Sequence, residues 1–373
     1  MLKFLKALSI FAGTIIGVGI FGLPYVASKA GFPVVVLYFL LMGSLAIIIH
    51  LLYGKVALSC NEACRLPGYA EDYLGSFWKK VAFIVIGLGL TGALLAYLIV
   101  GGNFLNLFFS PYLGDNVLLY TLLFFSLGAF LIFVGVKRIA QVELFFLVAF
   151  FALLVLFFFK AAPYINLDYL TSVDLNFLVL PYGVVIFSLW GSPLIPEVKE
   201  VLKGEEKKLK TVIITGIVLA TLTYLFFIFA VFGVSGPNTS KEAIEGLSKT
   251  LGNGAIKFGF LFGIITCFTS FITLGLTLKK ILWYDFNISK NLSWFLALFL
   301  PLTLFLLGLR QFINIISITG AFALGFEAVL IVFIYRAFLK KKFKKKMSIW
   351  LYVLPLIFVL GVLFEVFYLI SIQ

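Results

Sequence analysis

The chain is too apolar for a water-soluble domain: 63% of its 373 residues are hydrophobic, 12% are charged, and its mean hydropathy is +1.16. Soluble domains average about 45–50% apolar and about 25% charged residues. The 29 Lys and Arg residues outnumber the 16 Asp and Glu residues, but 45 phenylalanines and charges collected between apolar blocks exclude a nucleic-acid-binding protein. The composition predicts an integral protein of the cell membrane.

Eleven apolar segments are long enough to be read as helices that cross the hydrocarbon core, which takes about 20 residues. In chain order they are 7–28, 32–56, 81–108, 117–136, 141–159, 177–196, 211–235, 256–280, 293–309, 312–335 and 349–370. The ninth segment is short, and Gly308 begins a tight turn into the tenth. The sequence therefore predicts one all-α, polytopic transmembrane domain over 1–373.

The basic residues are distributed unevenly between the two sides of the predicted membrane. With a cytoplasmic N-terminus, 23 of the 29 Lys and Arg residues lie inside, and cytoplasmic loops carry such an excess. The residues left outside are Lys29, Lys160, Lys241, Lys249, Lys257 and Arg310. This orientation puts the C-terminus, Gln373, outside. The inside cluster Lys340–Lys346 is a topology anchor or a contact for anionic membrane lipid.

Two of the predicted helices are interrupted by Gly and Pro, at Gly13–Pro24 and at Leu180–Pro196. They open two groups of five helices, 7–160 and 177–336, and 349–370 is an extra helix. Because five is odd, the two groups form inverted repeats. Paired interruptions in inverted repeats indicate the midplane site of a secondary transporter. For either segment alone, a kink or a close helix contact is the alternative.

An unwound backbone in the bilayer core needs polar partners, which a zwitterionic substrate supplies. The carboxylate of such a substrate suits the N–H groups at the start of a half-helix, and its ammonium group suits free carbonyls. The interrupted helices are therefore suited to a zwitterionic substrate.

The eighth predicted helix carries hydroxyl groups along one face. They belong to Thr266, Ser270, Thr273 and Thr277, with Thr269 beside them. Thr269 and Ser270 lie near the middle of the helix, level with Gly17. They either bond back to helix carbonyls or join carbonyls of the first helix in a site for a hard cation such as sodium.

Few other polar residues fall inside the predicted membrane. Glu327 in the tenth helix is the deepest acid and a candidate for proton coupling, with a structural hydrogen bond as the alternative. His50 is the only histidine, and we expect a structural role for it. Cys60 and Cys64 have no second Cys or His pair near them in the sequence, so neither a metal site nor another cofactor is predicted.

The interrupted segments resemble a known family. Gly13–Pro24 resembles the helix 1 signature of the amino acid–polyamine–organocation superfamily, and most of all its amino acid/auxin permease branch, which includes aromatic amino acid permeases. Phe187–Glu200 is similar to helix 6 of that branch, and Thr269–Phe271 with Leu274–Leu276 resembles its helix 8. The resemblance covers essentially the whole chain. It implies the leucine-transporter type fold, two inverted five-helix repeats plus an eleventh helix, and symport of an amino acid with sodium or protons.

The resemblance also implies where substrate and ion bind. The expected substrate-site residues are Ile15, Gly17, Val18, Gly19, Tyr97, Phe187, Ser188, Trp190 and Gly191. Among them, the N–H groups of Val18 and Gly19 meet the carboxylate. Carbonyls near Ile15 and Phe187 meet the ammonium group, and Trp190 helps to wall the side-chain pocket. The expected cation ligands are the carbonyls of Gly13 and Ile16 and the hydroxyls of Thr269 and Ser270. Some proton-coupled relatives place a lysine of helix 5 in that space, but here helix 5 has no lysine before Lys160.

Other functional classes fit less well. A membrane-embedded enzyme needs a convergent set of nucleophile, base or metal ligands, and one histidine with few intramembrane acids does not supply it. A phosphate-binding loop of the P-loop type is absent from the sequence, so ATP is not the direct energy source. An amino acid exchanger or a nontransporting sensor on the same fold remains an alternative, because fold does not fix function.

Overall fold

The computed structural model describes residues 2–60, 64–135 and 139–371, and Gln373 lies beyond them. The described chain is helical apart from short connections and one isolated bridge between Ser240 and Ala243. The α-helices are α1 (Leu2–Ile15), α2 (Gly19–Ala30), α3 (Phe32–Ala57), α4 (Leu66–Leu74), α5 (Ser76–Leu113), α6 (Val117–Val134), α7 (Ile139–Ala161), α8 (Pro181–Leu189), α9 (Ile195–Val201), α10 (Leu209–Ser235), α11 (Ser248–Lys280), α12 (Lys290–Leu306), α13 (Phe312–Ile318), α14 (Gly325–Phe343) and α15 (Val353–Ser371). This architecture confirms the predicted all-α class.

The long helices coincide with the predicted membrane segments. Within the described ranges, eight helical stretches are long and apolar enough to cross a membrane, and the bent pair α1–α2 makes a ninth. The other two predicted segments do not form a single helix of such length in the structure. One is α12, with 17 residues, and the other is divided between α8 and α9. The predicted turn before α13 is present, because Gly308 has a φ of 98°, a conformation that favours glycine.

The interrupted helices lie at the centre of the bundle. Helix α1 packs against α7 and α10, and α2 packs against α8 and α10. Nearly every residue of α2 and of α8 is buried. Both breaks are therefore enclosed by protein, which is the condition under which an irregular backbone is tolerated at membrane depth.

Helix α8 is held in place by backbone-to-backbone packing against a π-helical turn, Thr319–Leu324, that joins α13 to α14. A Cβ atom on Gly183 would lie 2.2 Å from the carbonyl oxygen of Ser317, and one on Gly320 would lie 1.9 Å from that of Gly183. Only glycine permits so close an approach. This contact fixes the depth of α8 relative to α14, which carries Glu327.

Candidate functional site

The first break separates α1 from α2, whose axes differ by 47°. The Gly17 N–H donates to the Ile15 carbonyl at 2.6 Å, so the carbonyl of Gly13 loses its ordinary helical donor. The Val18 N–H donates to no backbone carbonyl of the described chain. Gly19 begins α2, and the first four N–H groups of a helix have no acceptor within that helix. The break therefore presents backbone donors and acceptors close together.

The second break separates α8 from α9, and a side chain of α3 stabilises it. The Gly191 N–H donates to His50 Nε2 at 2.9 Å, and His50 Nδ1 contacts the Ala46 carbonyl. Because Nε2 accepts, the proton must be on Nδ1, and the imidazole is neutral. His50 is completely buried. This geometry agrees with the structural role expected for the histidine.

Glu327 of α14 supports the same break from the other side. Its Oε2 accepts from Trp190 Nε1 at 3.0 Å, and its Oε1 accepts from the Ser192 hydroxyl. The carboxyl group is fully buried and forms no ion pair with any described residue. A structural hydrogen-bonding role is thus visible, and the same group also borders the central cavity described below.

One tyrosine joins the two breaks. The hydroxyl of Tyr224, a fully buried residue of α10, lies between the carbonyl oxygens of Ile15 and Ser188, and it is 2.7 Å from the latter. A phenol has one proton to donate, so it satisfies one carbonyl fully or shares its proton between both. Tyr224 was not among the expected site residues, because nothing in the sequence distinguishes it from the other 15 tyrosines.

A cavity of about 40 Å³ lies between the two breaks. It has room for about three water molecules, since one needs about 10–15 Å³ by this measure. Its walls come from α1, α2, α5, α8, α11, α14 and the connections around the α8–α9 break. They are formed by Thr14, Ile15, Gly19, Ile86, Gly89, Leu90, Ala93, Tyr97, Phe187, Ser188, Trp190, Pro193, Leu194, Leu274, Leu324 and Glu327.

Six of the nine expected substrate-site residues line this cavity: Ile15, Gly19, Tyr97, Phe187, Ser188 and Trp190. The other three, Gly17, Val18 and Gly191, lie outside its wall. Gly17 packs against the Tyr97 hydroxyl, which a Cβ atom on Gly17 would meet at 1.8 Å. Gly191 packs against the side chains of Ile15 and Phe11. The structure thus brings the expected residues to one place, and their roles toward a substrate stay predictions.

A second, smaller cavity of about 20 Å³ lies on the other side of α1. Three expected cation ligands line it, namely Gly13, Ile16 and Thr269, together with Thr266. From the part of α7 whose side chains are described, residues 144–161, only Phe146, Leu147 and Phe150 reach this wall. The space therefore has oxygen-bearing residues on α1 and α11 and an apolar face on α7.

The hydroxyl groups of α11 mostly bond within their own helix. Thr266 Oγ1 donates to the Phe262 carbonyl at 2.9 Å, and Thr269 Oγ1 lies 3.3 Å from the Thr266 carbonyl. Ser270 does not line the cavity, and its buried hydroxyl has no hydrogen-bond partner among the described residues. The structure shows the alternative of bonds back to helix carbonyls for Thr266 and Thr269. A hydroxyl that donates its proton keeps its lone pairs, so either oxygen can still bind a cation.

A buried ion pair fixes the first turn of α9, the half-helix that runs toward the side predicted to be cytoplasmic. Arg65, before α4, places Nη2 at 2.8 Å from Glu197 Oε1, and Lys280 Nζ lies 3.5 Å from the same oxygen. Burial alone would raise the pKa of Glu197, but the two cations hold it below its ordinary value. The α9 half of the broken helix is thereby tied to α4 and to the end of α11.

Cys60 and Cys64 lie near Asp72, and their ligand atoms are within 4.8 Å of one another. No sequence pattern predicts that the Asp72 carboxylate lies beside the two thiols. Three ligands are fewer than the four that a structural zinc site takes, and the absence of a metal remains a prediction.

A model of the tryptophan/tyrosine permease family matches residues 1–371. The chain belongs to this family. Among curated proteins, this permease is 26% identical over 320 residues to the tyrosine-specific transport system 1 of Haemophilus influenzae, covering 79% of this chain and 78% of the relative. Membership makes the chain a multi-pass membrane transporter of amino acids within the wider superfamily, and not an enzyme.

Solved structures with the same fold are transporters. The nucleobase-cation-symport-1 family transporter Mhp1, closed with bromovinylhydantoin bound, has a TM-score of 0.68 at 15% identity, over 97% of this permease and 90% of that chain. MhsT in complex with L-phenylalanine has a TM-score of 0.67 at 16% identity, over 100% and 98% of the two chains. At these identities the likeness establishes the fold alone, which is the predicted leucine-transporter type.

Proposed function

We propose that this permease is a symporter that carries an aromatic amino acid across the cell membrane, by alternating access around the two helix breaks. The observation that carries the proposal is the cavity between the breaks, with Tyr97, Phe187 and Trp190 in its wall. Family membership and the tyrosine-specific relative support an aromatic substrate. The N-terminus is cytoplasmic in this proposal, and the assignment to the amino acid/auxin permease branch belongs to it as well.

The substrate carboxylate binds at the start of α2. There the N–H groups of Val18 and Gly19 are available, and the positive end of the α2 dipole favours an anion. The ammonium group binds the Phe187 carbonyl, which accepts only a weak 3.4 Å bond from the Trp190 N–H. It also approaches the Ile15 carbonyl, which Tyr224 and the Gly17 N–H already contact. The zwitterion thus bridges the two breaks.

Transport requires the cavity to enlarge. Room for about three water molecules is too little for an aromatic side chain, so the cavity walls must separate on binding. Opening toward the cytoplasm then requires the pair formed by Arg65 and Glu197 to break, because it ties α9 to α4. Alternating access follows from opening one side of the site at a time.

The coupling ion is sodium in this proposal. The carbonyls of Gly13 and Ile16 and the Thr269 hydroxyl border one small cavity, and hard cations take such oxygen ligands. Ser270 supplies a further oxygen if its side chain changes rotamer. The apolar face of α7 contains no lysine that would replace a cation there.

Proton coupling is the second candidate, and one observation favours it. Glu327 borders the central cavity, is fully buried, and lacks an ion-pair partner among described residues. An uncompensated carboxylate at this depth is costly, so a proton on it accompanies some step of the cycle.

Uptake of radiolabelled L-tyrosine into proteoliposomes distinguishes the two candidates. Sodium coupling predicts that Thr269→Ala with Ser270→Ala raises the sodium concentration for half-maximal uptake, whereas Thr277→Ala, which changes a hydroxyl outside both cavities, does not. Glu327→Gln then keeps its sodium response. Full uptake driven by an inward pH gradient without sodium, and lost in Glu327→Gln, would overturn the sodium assignment.

Two further arms test the aromatic substrate and the transport cycle. Trp190→Ala should change the preference among amino acids by about 1–3 kcal/mol, the usual effect of a change in pocket volume, whereas Trp294→Ala, outside the central cavity, should not. An unchanged profile would place Trp190 outside the pocket. Counterflow of labelled tyrosine without an ion gradient tests for carrier-type exchange, and its absence would favour a nontransporting sensor.

A further inference from the structure

A third cavity, of about 440 Å³, lies between α7, α10, α11 and the segment before α11. It is larger than the two cavities described above and falls within the range of small-molecule sites, about 300–1,000 Å³. It shares no lining residue with either of them. This cavity is therefore separate from the proposed substrate and cation sites.

Among the side chains that the structure describes, the wall of this cavity is apolar except for one cation. Its lining residues are Leu153, Leu154, Leu156, Phe157, Lys160, Phe227, Ile244, Phe258, Gly259 and Phe262. Leu156 and Phe258 at its rim are 61% and 63% exposed on apolar helices, so the cavity opens toward the lipid and not toward the substrate site. A polar or zwitterionic ligand would find almost no hydrogen-bond partners there.

Lys160 stands at one end of this apolar space, in the last turn of α7. It is exposed, and neither a hydrogen bond nor an ion pair joins it to any residue in the described part of the chain. The end of a membrane helix lies at the level of the lipid headgroups. A long apolar cavity with a cation at headgroup level is complementary to an anionic lipid.

We propose that this cavity binds one acyl chain of an anionic phospholipid, whose phosphate pairs with Lys160. The acyl chain passes from the apolar bilayer interior into an apolar cavity, so its burial does little to select one lipid over another. Selection depends on headgroup charge, and one lysine near a membrane surface favours an anionic lipid about fivefold.

Photolabelling in nanodiscs tests this site. Phosphatidylglycerol and phosphatidylcholine with the same diazirine acyl chain are each reconstituted with the full-length permease, and labelled peptides are mapped. The wild type should label residues 153–160 and 258–262, about fivefold more with phosphatidylglycerol than with phosphatidylcholine. Labelling spread evenly over the lipid-facing helices would overturn the proposal.

Two pairs of variants separate the headgroup from the chain. Lys160→Gln should remove the preference for phosphatidylglycerol, whereas Lys29→Gln, which changes another last-turn lysine predicted on the same side, should keep it.

Leu156→Trp should block labelling by both lipids, whereas Leu127→Trp on α6, with a similar 60% exposure, should not. An unchanged preference in Lys160→Gln, or unchanged labelling in Leu156→Trp, would contradict the site. Gel filtration confirms that each variant is folded.

Discussion

The two helix breaks differ in what satisfies their backbone. At the α8–α9 break, His50 accepts from the Gly191 N–H, and Glu327 accepts from the side chains of Trp190 and Ser192. At the α1–α2 break, the Val18 N–H has no backbone acceptor within the described residues, and the Ile15 carbonyl shares the Tyr224 hydroxyl with Ser188 of α8. The second break is thus stabilised from within the protein, whereas the first is left with polar groups to offer.

This difference assigns the breaks different tasks. An unpaired backbone group at membrane depth costs free energy unless a ligand pairs with it. The α8–α9 break therefore serves as a fixed wall, whose shape depends on His50 and Glu327. In the proposed function, the α1–α2 break supplies the N–H groups for the carboxylate, and the α8–α9 break adds the Phe187 carbonyl for the ammonium group. Mutations at the α1–α2 break should impair transport with little loss of stability. Mutations at the α8–α9 break should mainly lower stability.

The largest effect is expected from Gly19→Val at the open break. A Cβ atom there would lie 2.4 Å from Ser188 Oγ and 3.0 Å from Ser188 Cα, so the two breaks must move apart. Loss of a substrate contact that contributes about 3 kcal/mol weakens binding about 100-fold. We therefore expect L-tyrosine uptake to fall by at least that factor. Gly87→Val is the matched control, because its Cβ meets no atom within 4 Å. Near-normal uptake by Gly19→Val would remove the substrate from this break.

A loss of stability is expected from His50→Leu at the supported break. Leucine fills much of the same space but accepts no hydrogen bond, so the buried Gly191 N–H is left unpaired at a cost of about 1–3 kcal/mol. His50→Gln keeps an acceptor and should recover most of the loss. The midpoint of thermal unfolding in detergent measures both. Equal midpoints for the two variants would show that the hydrogen bond to His50 does not stabilise the break.

The smallest effect is expected from Tyr224→Phe, which removes the hydroxyl that joins the breaks. One neutral hydrogen bond contributes about 0.5–1.5 kcal/mol, so KM for L-tyrosine should rise several-fold while the protein stays folded. Tyr120→Phe is the control, because that hydroxyl bonds to the Gly114 carbonyl far from both breaks. If both variants raise KM equally, Tyr224 has no special part in aligning the breaks.

Much of the fold followed from the sequence because its signals are local. Long apolar blocks determine where helices lie, and Gly and Pro at Gly13–Pro24 and Leu180–Pro196 determine where they break. The cavity-lining positions of Ile15, Phe187 and Trp190 followed from the resemblance. Helix α8 is shorter than predicted, because Trp190 adopts an extended conformation and ends it.

The support around the breaks did not follow from the sequence, because it depends on long-range contacts. The partners His50 and Gly191 are 141 residues apart, and Tyr224 and Ile15 are 209 apart. A buried tyrosine on an apolar helix has no local signature. Ser270 was expected in the cation site from its position on the helix, but Thr266 and Thr269 line the small cavity and Ser270 does not.

Binding of L-tyrosine and of tyramine to the purified permease tests most directly whether the open break holds the substrate carboxylate. Tyramine keeps the aromatic ring and the ammonium group but lacks the carboxylate. Hydrogen bonds to a charged group contribute about 1.5–3 kcal/mol, so tyramine should bind about 10- to 100-fold more weakly in isothermal titration calorimetry. Equal affinities for the two ligands would contradict carboxylate binding at Val18 and Gly19.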